Sequence, residues 1–133
     1  MQKIAVLNKK NVKLLGISIL TSMDAEQTKK YYNLNNIEEV VGKFVKYAIN
    51  NKLDGVVCSP HEIKLIKEIS KGKLIIVTPG ISPENYKKQD DQKRFMTPSK
   101  AIKLGANYLV IGRPITKSNN PLKKLISINS SIE

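Results

Sequence analysis

At 133 residues the chain is long enough to bury one core and reads as a single domain over 1–133. No apolar run approaches the roughly 20 residues a membrane-spanning helix needs. The opening MQKIAVLNKK has too short an apolar segment, with charge on both sides, for a secretory signal. The formal charge of +12 raises a nucleic-acid surface. Its distribution argues against one: the excess is Lys spread over nearly every expected helix, and aromatic residues do not interleave with it for stacking. Lys, Ile and Asn share A/T-rich codons, so genome composition accounts for the excess. The single Cys58 excludes an internal disulfide framework and fits a reducing cytoplasm.

Residues 1–12 are ambiguous, since Ile4 to Leu7 suits either a short strand or the tail of a helix. Leu14 to Leu20 reads as a buried strand ending at Thr21-Ser22, with a long loop over 22–35 that takes in Tyr31 and Tyr32. Asn36 suits a helix N-cap, with Glu39 at the third helical position as in a capping box. Ile37, Val40, Val41, Phe44, Val45 and Ala48 then recur at helical spacing and predict an amphipathic helix. Asp54 to Cys58 is a short strand. Ser59-Pro60-His61-Glu62 starts the next helix, with Ser59 as cap and Pro60 first. Ile63, Ile66 and Ile69 follow, and Lys71-Gly72-Lys73 closes the turn.

Leu74 to Val77 is another short apolar run, broken by Thr78-Pro79-Gly80 and followed by a polar loop over 81–96. Thr97 suits an N-cap and Pro98 the first helical position. Gly105 ends that helix, and Tyr108 to Ile111 form a last buried strand closed by Gly112-Arg113-Pro114. Asn120-Pro121 caps a final helix carrying Leu122, Leu125 and Ile126, with fraying expected over 129–133.

Strands near 14–20, 54–58, 74–78 and 108–112 alternate with helices. That predicts an α/β fold of parallel strands joined by right-handed crossovers. In such units chemistry gathers in the loops at the C-terminal strand ends. Those loops hold Gln92 and Arg113. In a chain that uses Lys by default, with Arg only at Arg94 and Arg113, an arginine there suits a planar, bidentate phosphate contact.

Six segments then carry a resemblance. Leu20-Thr21-Ser22-Met23-Asp24, Asp54 to Ser59, Val77-Thr78-Pro79-Gly80-Ile81, Asp90-Asp91-Gln92-Lys93-Arg94, Met96-Thr97-Pro98 and Ile111-Gly112-Arg113-Pro114-Ile115 together resemble orotidine 5′-phosphate decarboxylase, in that family's order and spacing over residues 14 to 121. The resemblance implies a TIM barrel entered midway, these four strands being the family's fifth to eighth: a half-barrel with helices on the outer face. It implies that Thr21 touches the pyrimidine or its carboxylate and that Gln92 reaches from its loop to phosphate and base. Gly112 and Arg113 would hold the 5′-phosphate through a backbone N–H and the guanidinium. The implied ligand is orotidine or uridine 5′-phosphate, or a phosphate ion, with no cofactor and no metal.

Two departures accompany it. The family subgroup with this loop usually carries a second arginine where Ser82 stands, so Ser82 is the weakest member of the substrate-binding set. The family's chemistry rests on an Asp-x-Lys-x-x-Asp segment at the end of the third strand, which these 133 residues lack. The chain is therefore expected to keep the ligand-gripping half of a decarboxylase, as a truncated form with no catalytic residue of its own and no activity alone. A split active enzyme or a nucleotide-binding module are the alternatives. Cys58 reads as a buried thiol, and His61 as an exposed residue that cannot by itself make a metal site. Four strands cannot close a barrel of eight-strand dimensions. The inner face of the sheet should be covered by a second copy, as a homodimer, or by the missing N-terminal half.

Overall fold

The computed structural model describes residues 12–19, 23, 25–34, 36–83 and 95–132. Strands β1 (Leu15–Ile17), β2 (Gly55–Val57), β3 (Ile75–Thr78) and β4 (Tyr108–Leu109) form one sheet in the order β1-β2-β3-β4. All three pairings are parallel. Ile17 lies beside Val57, Val57 beside Val77 and Val77 beside Tyr108. Helices α1 (Ala25–Tyr32) and α2 (Ile37–Asn50) separate β1 from β2, and α3 (Ile63–Ser70) separates β2 from β3. Helix α4 (Pro98–Leu104) leads into β4, and the short α5 (Arg113–Thr116) and longer α6 (Pro121–Ser130) follow it. This is the expected half-barrel order.

The N-terminal ends of the strands are tied together by Asp54. Its carboxylate accepts the Leu14 N–H at 2.8 Å and its carbonyl accepts the Ile75 N–H at 2.9 Å, so one residue holds three neighbouring strands in register. Gly55 follows because nothing larger fits: a Cβ there would sit 2.3 Å from the Ile75 carbonyl oxygen. The helix starts behave as their residues demand. Asn36 Oδ1 accepts the Glu39 N–H, and the Ser59 N–H donates to Glu62 Oε2 at 3.1 Å ahead of a 3₁₀ turn, Pro60–Glu62, that runs into α3. Lys71 closes α3 in the left-handed region at φ 50°, with the Gly72 N–H returning to the Lys67 carbonyl at 3.0 Å.

Strand alternation then divides the side chains between two faces. Val56 and Ile76 point into one core with Val40, Val41 and Val45 of α2 and Ile63 and Ile66 of α3, all essentially buried. The opposite face holds Leu15, Ile17, Val57, Val77, Tyr108 and Val110. Among these Ile17 is 66 % exposed, Tyr108 62 % and Val110 51 %, while Val57 and Val77 are half-buried by their neighbours. At roughly 1.5–3 kcal/mol for each fully buried large apolar side chain, this face leaves several kcal/mol of burial unrealised. The inner face meets solvent, as a lone half-barrel requires.

Two readings need correction. The loop expected over 22–35 contains α1, so Tyr31 and Tyr32 are helical. Its sequence, AEQTKKYY, has no apolar period. What supports it is Glu26 in the first turn, Lys29 and Lys30 in the last, and the edge-on packing of Tyr32 against Phe44 at 5.8 Å. Helix α6 starts at the expected cap, where Asn120 Oδ1 accepts the Lys123 N–H at 2.9 Å. Ile128 is enclosed, whereas Leu122, Leu125 and Ile126 are exposed. The helix also continues through Ser130 instead of fraying from 129, its last turn closed by the Ser131 N–H on the Ile128 carbonyl at 3.0 Å. The ambiguous segment 1–12 lies outside the described residues except for Val12.

Ile63→Ala, which empties a fully enclosed site between the helix layer and the sheet, should cost about 2–5 kcal/mol in urea unfolding. Ile126→Ala on the exposed side of α6 should stay within about 0.5 kcal/mol. Equal losses at the two positions would contradict the assigned faces.

Candidate functional site

Because all four strands run the same way, their C-terminal ends open on one side of the sheet. The ladder continues past each strand and carries the turns with it. The Ser18 N–H donates to the Val57 carbonyl at 3.0 Å, the Cys58 N–H to Val77 at 3.1 Å and the Val110 N–H to Thr78 at 2.9 Å. Four turns, starting at Ser18, Cys58, Pro79 and Val110, are thus aligned as neighbours.

The turn after β3 opens the long loop. Gly80 takes φ 74°, a conformation that favours glycine, and turns the chain out of β3. Ile81 and Met96, both buried, then pair as a parallel bridge. The Ser82 N–H donates to the Met96 carbonyl and the Met96 N–H to the Gly80 carbonyl, each at 3.0 Å. These bonds close a neck, so the loop leaves and returns at one point beside the end of β3. Sequence reading does not pair these two residues; the signal present is an apolar residue at either end of an otherwise polar loop. Ser82 sits in the neck, buried, and its Oγ has no hydrogen-bond partner among the described residues. An orphaned buried hydroxyl is costly and is a natural point of contact for water or a ligand oxygen.

On the adjacent strand, Ile111 leads to Gly112 and Arg113. Gly112 caps α5, its carbonyl accepting the Ile115 N–H at 2.9 Å and the Thr116 N–H at 3.1 Å. Among the described residues no atom would lie within 4 Å of a Cβ added to Gly112, so the backbone there borders open space. Arg113 is half-buried beside it, and Pro114 behind is fully packed. The structure therefore brings Ser82, Gly112 and Arg113 to the ends of neighbouring strands. Thr21 and Gln92 lie outside the described residues, although the neck fixes where the Gln92 loop departs.

Below these turns Cys58 is enclosed, 1 % exposed. Burial, with the negative charge of nearby Glu62 adding to it, pushes its thiol from 9.0 up to about 12, against the opposing influence of the Thr78 hydroxyl. A thiol so held is no nucleophile at neutral pH, in line with the core reading. His61 is exposed, as expected from its place in the helix start.

Residues 1–128 match the family described as orotidine 5′-phosphate decarboxylase / HUMPS. The chain belongs to that family. It is 43% identical over 120 residues to the orotidine 5′-phosphate decarboxylase of Coxiella burnetii, covering 90% of this chain and 50% of the relative. With the Prochlorococcus marinus enzyme of the same name it shares 43% over 131 residues, covering 98% of this chain and 54% of the relative. Its fold matches the crystal structure of orotidine 5′-phosphate decarboxylase from Lactobacillus acidophilus with a TM-score of 0.74 and 31% identity, over 91% of this chain and 49% of that one. The chain thus spans about half the length of the decarboxylase relatives it matches. Its four parallel strands are a half of the decarboxylase barrel.

Two consequences of the Cys58 environment are measurable. The folded chain should resist thiol reagents at pH 8 and react only on unfolding. Between pH 9 and about 12 the unfolded thiol gives up its proton while the folded one keeps it, so this contribution to stability is intact below pH 9 and is lost as pH rises. Rapid labelling of Cys58 in the native chain would contradict its burial.

Proposed function

We propose that these 133 residues form the phosphate-gripping half of an orotidine 5′-phosphate decarboxylase, binding an orotidine or uridine 5′-phosphate through the ends of β3 and β4 without decarboxylating it alone. The observation that carries this is the juxtaposition of the loop neck, with Ser82 Oγ unpaired among the described residues, and the open backbone at Gly112 next to Arg113, in a chain of this family. Arg113 offers a planar fork matched to two phosphate oxygens, and this chain otherwise uses lysine almost throughout. The open surface at Gly112 lets a phosphate approach the main chain. Ser82 supplies a neutral hydroxyl in place of a second charge, a weaker phosphate contact than a guanidinium, whose charged hydrogen bond is worth roughly 1.5–3 kcal/mol in all. Thr21 would face the pyrimidine, and Gln92 would reach phosphate and base from the loop held at Ile81 and Met96.

The silence of the isolated chain follows from chemistry that its residues do not supply. Loss of CO₂ from a pyrimidine leaves negative charge on carbon, which needs a fixed cation and a proton donor placed against it. Such an alternating Asp-x-Lys-x-x-Asp array is absent from this sequence, and Asp90, Asp91 and Lys93 belong to the phosphate loop. A site of this kind works in the cytoplasm, where nucleotide precursors are made.

Titration calorimetry with uridine 5′-phosphate should show weak binding, reduced by about 1.5–3 kcal/mol in Arg113→Ala. The purified chain should not decarboxylate orotidine 5′-phosphate. Equal affinity in wild type and Arg113→Ala would show that the phosphate site is elsewhere. Turnover that survives removal of host enzyme would overturn the proposed division of labour.

A further inference from the structure

We infer that Lys100 and Lys123 form, with Arg113, a band of positive potential along the rim above β3 and β4, and that this band speeds the arrival of an anionic ligand without strengthening its hold. The inference deepens the proposed function and rests on the phosphate reading of Arg113. It starts from a division among the helix starts. A helix N-terminus carries partial positive charge, so acidic residues suit its first turn and a cation there is disfavoured. The first three helices follow that preference: α1 carries Glu26, α2 carries Glu38 and Glu39, and the turn into α3 carries Glu62. The last three do not. Their first turns hold no acid, and instead hold Lys100 in α4, Arg113 in α5 and Lys123 in α6.

These three starts lie together. The neck at Ile81 and Met96 sets the start of α4 beside the end of β3, and Gly112 sets that of α5 after β4. Ile102, Ile115 and Leu125 line one cavity of about 380 Å³, so α4, α5 and α6 adjoin. Asn107, at the entry to β4, lines the same cavity as Asn129, late in α6. The far end of α6 is therefore at the strand entry, and its start stands on the rim.

Local preference does not account for these lysines. Both are exposed, and neither pairs with a carboxylate among the described residues, where Lys13–Asp54 and Lys43–Glu39 are ion pairs elsewhere. Lys103, by contrast, occupies the last turn of α4, where the helix dipole favours a cation. Segment 83–94 carries four basic and three acidic residues, so its own balance does not cancel the band. Residues set against their local preference point to a demand other than folding. The same rim holds the open backbone at Gly112 and the buried Ser82, whose Oγ is unpaired among the described residues, so the demand that fits is an anion. An exposed ammonium adds little to a contact already made, because solvent screens it. It does raise the local concentration of anions and guides their approach, which is an effect on rate.

The test has two readouts on the 133-residue chain. In the first, the amides between Gly112 and Thr116 should be relaxed more by an anionic nitroxide than by a neutral one. That excess should fall by about half in the double variant Lys100→Gln, Lys123→Gln, persist in Lys103→Gln, and vanish near 1 M salt, where the screening length is about 3 Å. In the second, exchange spectroscopy with uridine 5′-phosphate should show association slowed about two- to fourfold in the double variant, with dissociation unchanged. An excess that survives the double substitution, an equal loss in Lys103→Gln, or a nucleotide whose association is unchanged while its dissociation quickens would overturn the inference. Because the nitroxide needs no binding site, the two proposals stay apart. Enrichment of the anionic probe in a chain that binds no nucleotide refutes the phosphate site and leaves the band standing, and nucleotide binding without enrichment refutes the band alone.

Discussion

A parallel sheet built from strands that are apolar on both sides needs an apolar layer against each face. Here the register of β1, β2 and β3 sends Val56 and Ile76 into the layer of α2 and α3, and that side is fully packed. The same register sends Ile17, Val57, Val77 and Tyr108 the other way, where the described residues supply nothing to meet them. Every local feature of the molecule can be placed by asking which side of this divide it serves. Asp54 and Gly55 set the close strand spacing that makes the register possible. The caps at Asn36 and Ser59 aim α2 and α3 onto the packed face.

The candidate site depends on the same ladder. Its groups are gathered by the parallel direction of the strands, which delivers successive turns to one rim. The bond from Val110 N–H to the Thr78 carbonyl keeps the ends of β3 and β4 side by side, and the Ile81–Met96 bridge brings the long loop back to that place. A ligand held there would touch residues far apart in sequence yet on adjoining turns. It would also lie over the rim of the uncovered face.

Much of this was legible in the residues. The four strands were marked by short apolar runs between turn residues, α2 by its uninterrupted helical period, and Arg113 by its rarity among lysines. The capping at Asn36 and Asn120 followed from side chains that can satisfy helix N–H groups. What could not be read was whatever depends on distant partners. Helix α1 has no apolar stripe and leans on charge placement and on Phe44, ten or more positions away. Nor does the pattern of α6 reveal its buried side: Ile128 is enclosed, while Leu122, Leu125 and Ile126 meet no covering layer among the described residues, so apolar character did not translate into burial. The neck between Ile81 and Met96 spans the polar loop and leaves no periodic trace. Thr21 and Gln92 lie outside the described residues, and only the resemblance of motifs, not local physics, singled either out.

The central claim is that one face of the sheet is packed and the other open, and cysteine accessibility in the isolated chain tests it most directly. Cys58 is buried and silent, so single cysteines can be introduced without replacing it. The account predicts that Ile17→Cys and Val110→Cys label rapidly at neutral pH in the folded chain, whereas Val56→Cys and Ile76→Cys label only at the rate of unfolding. Equal protection of all four positions would show that both faces are already covered, and would contradict the account.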